Sequence, residues 1–198
     1  MSRADEDRDL LQRIRAGDRA ACDDCVRRHA RGVYRLILRL VRDPAMAEDI
    51  TQETFLNAFK AIDRFDGRSE LRTWLYRIAY NAAMAHFRRK GPELVSLDEP
   101  GDADEGSPVP RTFFDWSALA DKELERAELR TEMERAMQEL PEKLRAVFIL
   151  RELEEMSTEE TATTLGLTIE AVRTRLHRAR LLLRERLTLY FENAGASL

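Results

Sequence analysis

The feature that most limits what this chain can fold into lies near its C-terminus, from Ser157 to about Leu189. Ser157-Thr-Glu-Glu160 is a capping box, which opens a short helix by satisfying its first amide groups. Ala162 and Leu165 carry the packing of that helix, and Thr161 is expected to face outward. Gly166 ends it, because glycine takes up a tight-turn backbone at little steric cost. Thr168 caps a second helix. Ala162 is small, as a close crossing of the two helices requires. Val172, Leu176, Ala179 and Leu183 recur at helical spacing and define the inner face of the second helix. Its outer face then holds Glu170, Arg173, Thr174, His177 and Arg178, and closes near Arg180 because Leu181 is apolar. This is the pattern of a helix-turn-helix whose second helix enters a major groove. Arg173 and Arg178 suit guanine edges or phosphates, and Glu170 suits cytosine N4. Thr174 and His177 add edge or phosphate contacts. A plain helical hairpin is the competing reading, and Arg173-x-Arg175-x-x-Arg178-x-Arg180 after a capped turn counts against it.

The rest of the chain reads as all-α. With 198 residues there is room for one or two domains, and 8 Gly and 6 Pro are few enough for a helix-rich protein. Helices are expected over residues 8–18, from Arg19 to Val41, from Asp43-Pro44 onward, and from Ser69 to about Arg89. Asp43 and Ser69 serve as N-caps, with Pro44 at the first helical position. From Gly91 to about Ser117 the sequence turns acidic and is punctuated by Gly and Pro, which reads as a linker. Phe113, Phe114 and Trp116 within it are too apolar for a passive tail and are expected to dock on a domain or partner. Helices resume from about Leu119 to Leu140, and again at Pro141. The expected organisation is therefore two helical domains, 1–90 and 119–192, joined by a flexible acidic linker, 91–118, with the second domain a helix-turn-helix.

A formal net charge of -4 is an unexpected sign for a lone DNA-binding domain. The charge is segregated, however. Arginine-rich patches run over 27–42, 64–90 and 173–186, while acid gathers between Glu93 and Glu160. Local patches still permit nucleic-acid contact, and a partner supplying most phosphate contacts also fits. No segment approaches the apolar length of a membrane span. The first residues are polar and lack an apolar signal core, so a cytoplasmic protein is expected.

Cys22 and Cys25 form a C-x-x-C, with His29 one turn further along. Both cysteines lie near the apolar line of their helix, where cysteine packs as a small hydrophobe. A Cys22, Cys25 and His29 metal face is the alternative, and it lacks a local fourth ligand. Enzyme chemistry finds little support. There is no phosphate loop, no nucleophile motif and no clustered metal-ligand motif. His86 and His177 sit on basic helices with no local acid partner, and no cofactor is implied.

Two further segments carry charge in unusual ways. Asp49, Gln52 and Glu53 fall on one helical face, and the like charges four apart cost ~0.2–0.5 kcal/mol in an isolated helix. A solvated face tolerates this and a basic partner surface uses it; the residues alone leave both readings open. Between Phe65 and Asn81, Trp74, Tyr76 and Tyr80 are interleaved with Arg68, Arg72 and Arg77, followed by Arg88, Arg89 and Lys90. Aromatics beside arginines hold unstacked bases of single strands. For Trp74 a core role is the stronger reading.

These motifs together resemble bacterial RNA polymerase sigma factors of the extracytoplasmic-function group. The resemblance rests on the run from Ala47 to Leu56, the run from Phe65 to Ala79, Leu140-Pro-Glu-Lys-Leu-Arg-Ala-Val-Phe148, and Val172-Arg-Thr-Arg-Leu-His-Arg-Ala-Arg180. It spans roughly residues 8–90 and 120–187. It implies that Asp49, Gln52 and Glu53 dock on core RNA polymerase. It implies that Phe65, Arg68, Ser69, Arg72 and Tyr76 help to open the promoter -10 element and capture a flipped base. Asn81, Arg88, Arg89 and Lys90 match the part that reads and holds that element. Glu170, Arg173, Thr174, His177 and Arg178 match the -35 reader, and the linker matches the segment that threads past the polymerase active site. The implied partners are core polymerase, promoter DNA and an anti-sigma factor that covers both domains. The cysteines depart from the pattern, since the family usually has larger apolar or aromatic residues there. A stand-alone helix-turn-helix regulator is the alternative function.

Overall fold

The computed structural model describes residues 3–67, 69–89 and 123–195, and everything structural below concerns those. Arg68, Lys90 and the 91–118 linker, including Phe113, Phe114 and Trp116, lie outside them. The described chain is helical, with no strand among the described residues.

The first region contains α1 (Arg3–Arg15), α2 (Arg19–Val41), α3 (Pro44–Lys60), a short 3-10 turn (Ile62–Arg64) and α4 (Leu71–Arg89). The starts of α2 and α3 have a local cause. Asp18 accepts hydrogen bonds from the amides of Ala20 and Ala21 at 2.9 and 3.3 Å and so caps α2. Arg13 donates to the same carboxylate at 2.9 Å. That bond, outweighing partial desolvation, holds Asp18 below the usual carboxylate range. Asp43 caps α3 through the Met46 amide, with Pro44 in the first turn. The helices meet through Ala21, Cys25, Val33, Leu36, Ile37 and Leu40 of α2, Ala47, Ile50, Phe55 and Ala58 of α3, and Leu71, Leu75, Ala79 and Ala83 of α4. α2, α3 and α4 each contact the other two, so a three-helix core results.

The second region contains α5 (Glu123–Glu139), α6 (Glu142–Phe148), a π-helical turn (Ile149–Leu153), α7 (Thr158–Leu165) and α8 (Ile169–Gly195). Every residue from Arg145 to Leu150 is buried, which no amphipathic helix shows on its own. α6 is covered on one side by α8 and on another by α2 of the first region. Buried Arg145 spans that contact, donating to the Gln138 carbonyl at 3.1 Å and to the Leu40 carbonyl at 3.4 Å. α4 also lies against α7. The two helical regions are thus packed on one another, a contact that periodicity along one chain does not report.

Candidate nucleic-acid interface

The helix-turn-helix forms as its caps dictate. Ser157 accepts from the Glu160 amide at 3.1 Å while Glu160 accepts from the Ser157 amide at 2.8 Å. Gly166 has φ +67, the left-handed turn that the motif needs. Thr168 Oγ1 accepts from the Ala171 amide at 3.1 Å and opens α8. Val172, Leu176, Ala179, Leu183 and Leu187 are all buried along one stripe of α8. Glu170 and Arg173 are exposed and linked at 3.5 Å, and Thr174, His177 and Arg178 are half-buried beside them. Arg180 is turned aside to Glu152 at 2.7 Å, which ends the polar face where Leu181 suggests it should.

Thr161 is a correction. It is fully buried rather than outward-facing. α7 lies against α4 and the π turn as well as α8, so more than one of its sides is covered.

On α3, Asp49 and Gln52 are exposed and Glu53 is half-buried, opposite buried Ile50, Thr54 and Phe55. The same line continues to Leu56, which is 60% exposed. Leu56 thus stands in solvent beside that polar row, on the side of α3 away from the core. In the sequence, Leu56 stands three residues beyond Glu53 and ends the run that carries the family resemblance.

The loop before α4 is anchored from both sides. Arg15 of α1 donates to the Ile62 carbonyl at 3.2 Å and to the Phe65 carbonyl. The Phe65 ring packs on Trp74 with centroids 5.0 Å apart. Phe65 is therefore buried, 4% exposed, and its ring is part of the core in this conformation instead of being offered to a base. Gly67, at φ +74, turns the chain just beyond it, and Ser69 is half-buried. Asn81, Arg88 and Arg89 are exposed on α4, and Arg77 joins Asn81 and Arg88 at helical spacing on the same side.

Arg72 and Tyr76 are engaged within the molecule. The Arg72 guanidinium sits 5.2 Å from the centre of the Tyr76 ring. The Tyr76 hydroxyl donates to Glu154 Oε2 at 2.7 Å, and Arg72 Nη2 lies 3.9 Å from the same oxygen while donating to the Glu154 carbonyl. Burial first, and then this carboxylate, push the Tyr76 phenol up. Neighbouring Thr73 donates to Glu160 at 2.8 Å.

The cysteines are free thiols, Cys22 half-buried and Cys25 buried in the first core. Burial pushes the Cys25 thiol up to about 12, far from a reactive thiolate. No group of three potential ligands is gathered around them or elsewhere among the described residues, so Cys22, Cys25 and His29 do not form a metal face here. No helix among those residues is long and apolar enough to cross a membrane.

Comparison with known proteins agrees with this arrangement. The family profile Sigma-70 region 2 matches residues 25–93, and Sigma-70, region 4 matches residues 130–183. The chain is 38% identical over 181 residues to the RNA polymerase sigma-H factor of Pseudomonas aeruginosa, covering 89% of this chain and 91% of that protein. It is 32% identical over 177 residues to the ECF RNA polymerase sigma factor SigW of Bacillus subtilis, covering 89% and 94%. Among solved structures, CnrH in complex with the cytosolic domain of CnrY superposes with a TM-score of 0.65 at 26% identity, covering 92% of this chain and 97% of that one. The sigma factor RpoE bound to the anti-sigma factor NepR from Bartonella quintana shares the fold, with a TM-score of 0.61 at 22% identity over 84% and 96%.

Proposed function

Since the chain belongs to the sigma-70 family of bacterial RNA polymerase subunits, in its extracytoplasmic-function group, we propose that its two helical regions divide promoter recognition between them. It is a promoter-recognising subunit, with core RNA polymerase and promoter DNA as partners. Polymerase carries out the synthesis; this chain is not an enzyme but contributes placement and binding energy, and it works in the cytoplasm beside that polymerase.

The finer assignments are as follows. Residues 1–90 hold the core-docking and -10 functions, 91–118 link, and 119–192 read the -35 element. Asp49, Gln52 and Glu53 dock on core polymerase, with Leu56 as an apolar anchor in the same row. Asn81, Arg88, Arg89 and Lys90 hold the -10 element, joined by Arg77. Arg68, Ser69, Arg72 and Tyr76 act where the strands part, and Phe65 fixes the base of their loop. On α8, Glu170, Arg173, Thr174, His177 and Arg178 face the -35 groove. An anti-sigma factor is the expected regulator, the class of partner that the sigma factor RpoE carries in its complex with NepR.

One observation carries this reading: a polar α8 face lies outward over a stripe of buried apolar residues, in the same chain as an outward acidic row on α3. A stand-alone regulator needs only the first. Glu53→Lys separates the two. It is expected to weaken core polymerase binding at least tenfold and to leave binding of isolated promoter duplex unchanged. Equal core affinity in a titration with labelled polymerase rejects the docking assignment.

A further inference from the structure

The contact between the two regions centres on Glu154, which stands just after the π turn. A π turn is rare, and those that occur are frequently at functional sites. Here the Glu154 amide bonds to the Ile149 carbonyl at 3.0 Å, and Glu155 follows at φ +54, an uncommon conformation for a side chain of that size. The result is that a carboxylate from the second region is inserted into the first, where it is 5% exposed. It meets three groups there. Arg39 of α2 donates to Oε1 at 3.0 Å, Tyr76 of α4 donates to Oε2 at 2.7 Å, and Arg72 approaches Oε2 at 3.9 Å. Two cations and a phenol from two helices thus converge on one anion. The receptor is built mostly by the first region, while the anion arrives from 115 residues away in sequence.

We propose that Arg39, Arg72 and Tyr76 form an anion site that takes a phosphodiester of single-stranded promoter DNA, and that Glu154 fills it as an internal stand-in when the two regions are closed on each other. Two arginines and a hydroxyl suit a phosphate oxygen as well as a carboxylate oxygen. DNA contact by Arg72 and Tyr76 and closure of the molecule are then mutually exclusive. Closure is poised to be reversible. A buried carboxylate with arginine partners gives back in attraction much of what desolvation takes away. Thr161 and Thr164 on α7, the helix that meets α4, are buried with hydroxyls that lack a hydrogen-bond partner. The inference rests on the proposed role of α4 at the -10 element, and its test keeps the two apart.

The test measures binding of the full chain to a fluorescein-labelled single-stranded DNA of mixed sequence, by anisotropy across a salt series. Glu154→Gln keeps the shape of the side chain and removes its charge. It is expected to raise affinity about tenfold, as when one charge-assisted bond that holds the closed state is weakened. The salt slope should steepen by about 0.7 for each arginine released to a phosphate. Glu154→Ala should move both readouts in the same direction. Glu155→Gln removes the same charge from the adjacent exposed position and should change affinity less than twofold. Equal gains from the Glu154 and Glu155 variants overturn the site, because they report net charge alone. Arg88→Ala separates the two levels. A loss with that variant, combined with no gain for Glu154→Gln, overturns the anion site and leaves the α4 assignment standing. No loss with Arg88→Ala overturns both.

Discussion

Gly32 gives the sharpest prediction about what holds this molecule together. It lies in the middle of α2, where alanine should be better than glycine by about 1 kcal/mol. A Cβ added there, however, meets the Tyr76 hydroxyl oxygen at 2.7 Å, while the nearest ring carbons are 3.7 Å away. Only the hydroxyl is too close. It cannot simply swing aside, because it donates to Glu154 at 2.7 Å and the ring is 3% exposed. Displacing it weakens a hydrogen bond to a carboxylate, at about 1.5–3 kcal/mol. Gly32→Ala should therefore destabilise the protein by about 0.5–2 kcal/mol, the difference between that loss and the helix gain. In a Tyr76→Phe background no atom stands closer than 3.7 Å, so the same substitution should stabilise by about 1 kcal/mol. Urea unfolding of the four proteins in the cycle reads both numbers. The reasoning is refuted if Gly32→Ala has the same sign in both backgrounds.

Other consequences are simpler to check. Leu56→Asp should reduce core polymerase affinity at least as much as Glu53→Lys, with an unchanged melting temperature, because 60% of Leu56 is already in water. A large loss of stability would mean that Leu56 packs within the chain. Arg173→Ala should relax selectivity at one or two -35 positions by about 1–3 kcal/mol, read by competition among promoter variants; a uniform loss on all sequences would make it a phosphate contact. For pH, Glu160 is the informative group. Burial alone would raise its carboxyl, but hydrogen bonds from the Ser157 amide and from Thr73 outweigh burial and hold it low. A carboxyl lowered in the folded state gives stability that is present above the unfolded value, about 4.3, and is lost as pH falls through the folded one. Glu160→Gln, which can still complete the capping box, should flatten the acid limb of a stability profile. An unchanged limb would remove Glu160 from the acid response.

What was legible in the sequence was what local chemistry decides. The Asp43-Pro44 start, the Ser157–Glu160 box, the Gly166 turn and the register of α8 each follow from a few adjacent residues, and each is found. What was not legible depends on partners distant in the chain. The spacing of α7 puts Thr161 outward when only α8 packs against it, but α4 and the π turn lie against α7 as well, and Thr161 is buried. Phe65 resembled a base-contacting aromatic, yet Trp74 and the Arg15 clamp on its carbonyl draw it into the core. Glu154 was one acid in an acidic stretch; no periodicity distinguishes it from Glu152 or Glu155. Its burial needs the π turn to re-aim it and two arginines on other helices to receive it. The candidate site was legible to the same extent. Outward polar rows on α3 and α8 follow from the apolar residues opposite them, but the engagement of Arg72 and Tyr76 inside the molecule does not.

The central claim is that this chain gives core RNA polymerase its choice of promoter. Mapping transcript 5′ ends made by purified core polymerase on fragmented genomic DNA, with and without the chain, tests it most directly. The account predicts a discrete set of start sites that appears only with the chain, preceded by two shared sequence blocks at a fixed spacing. The same start sites in both reactions would contradict it.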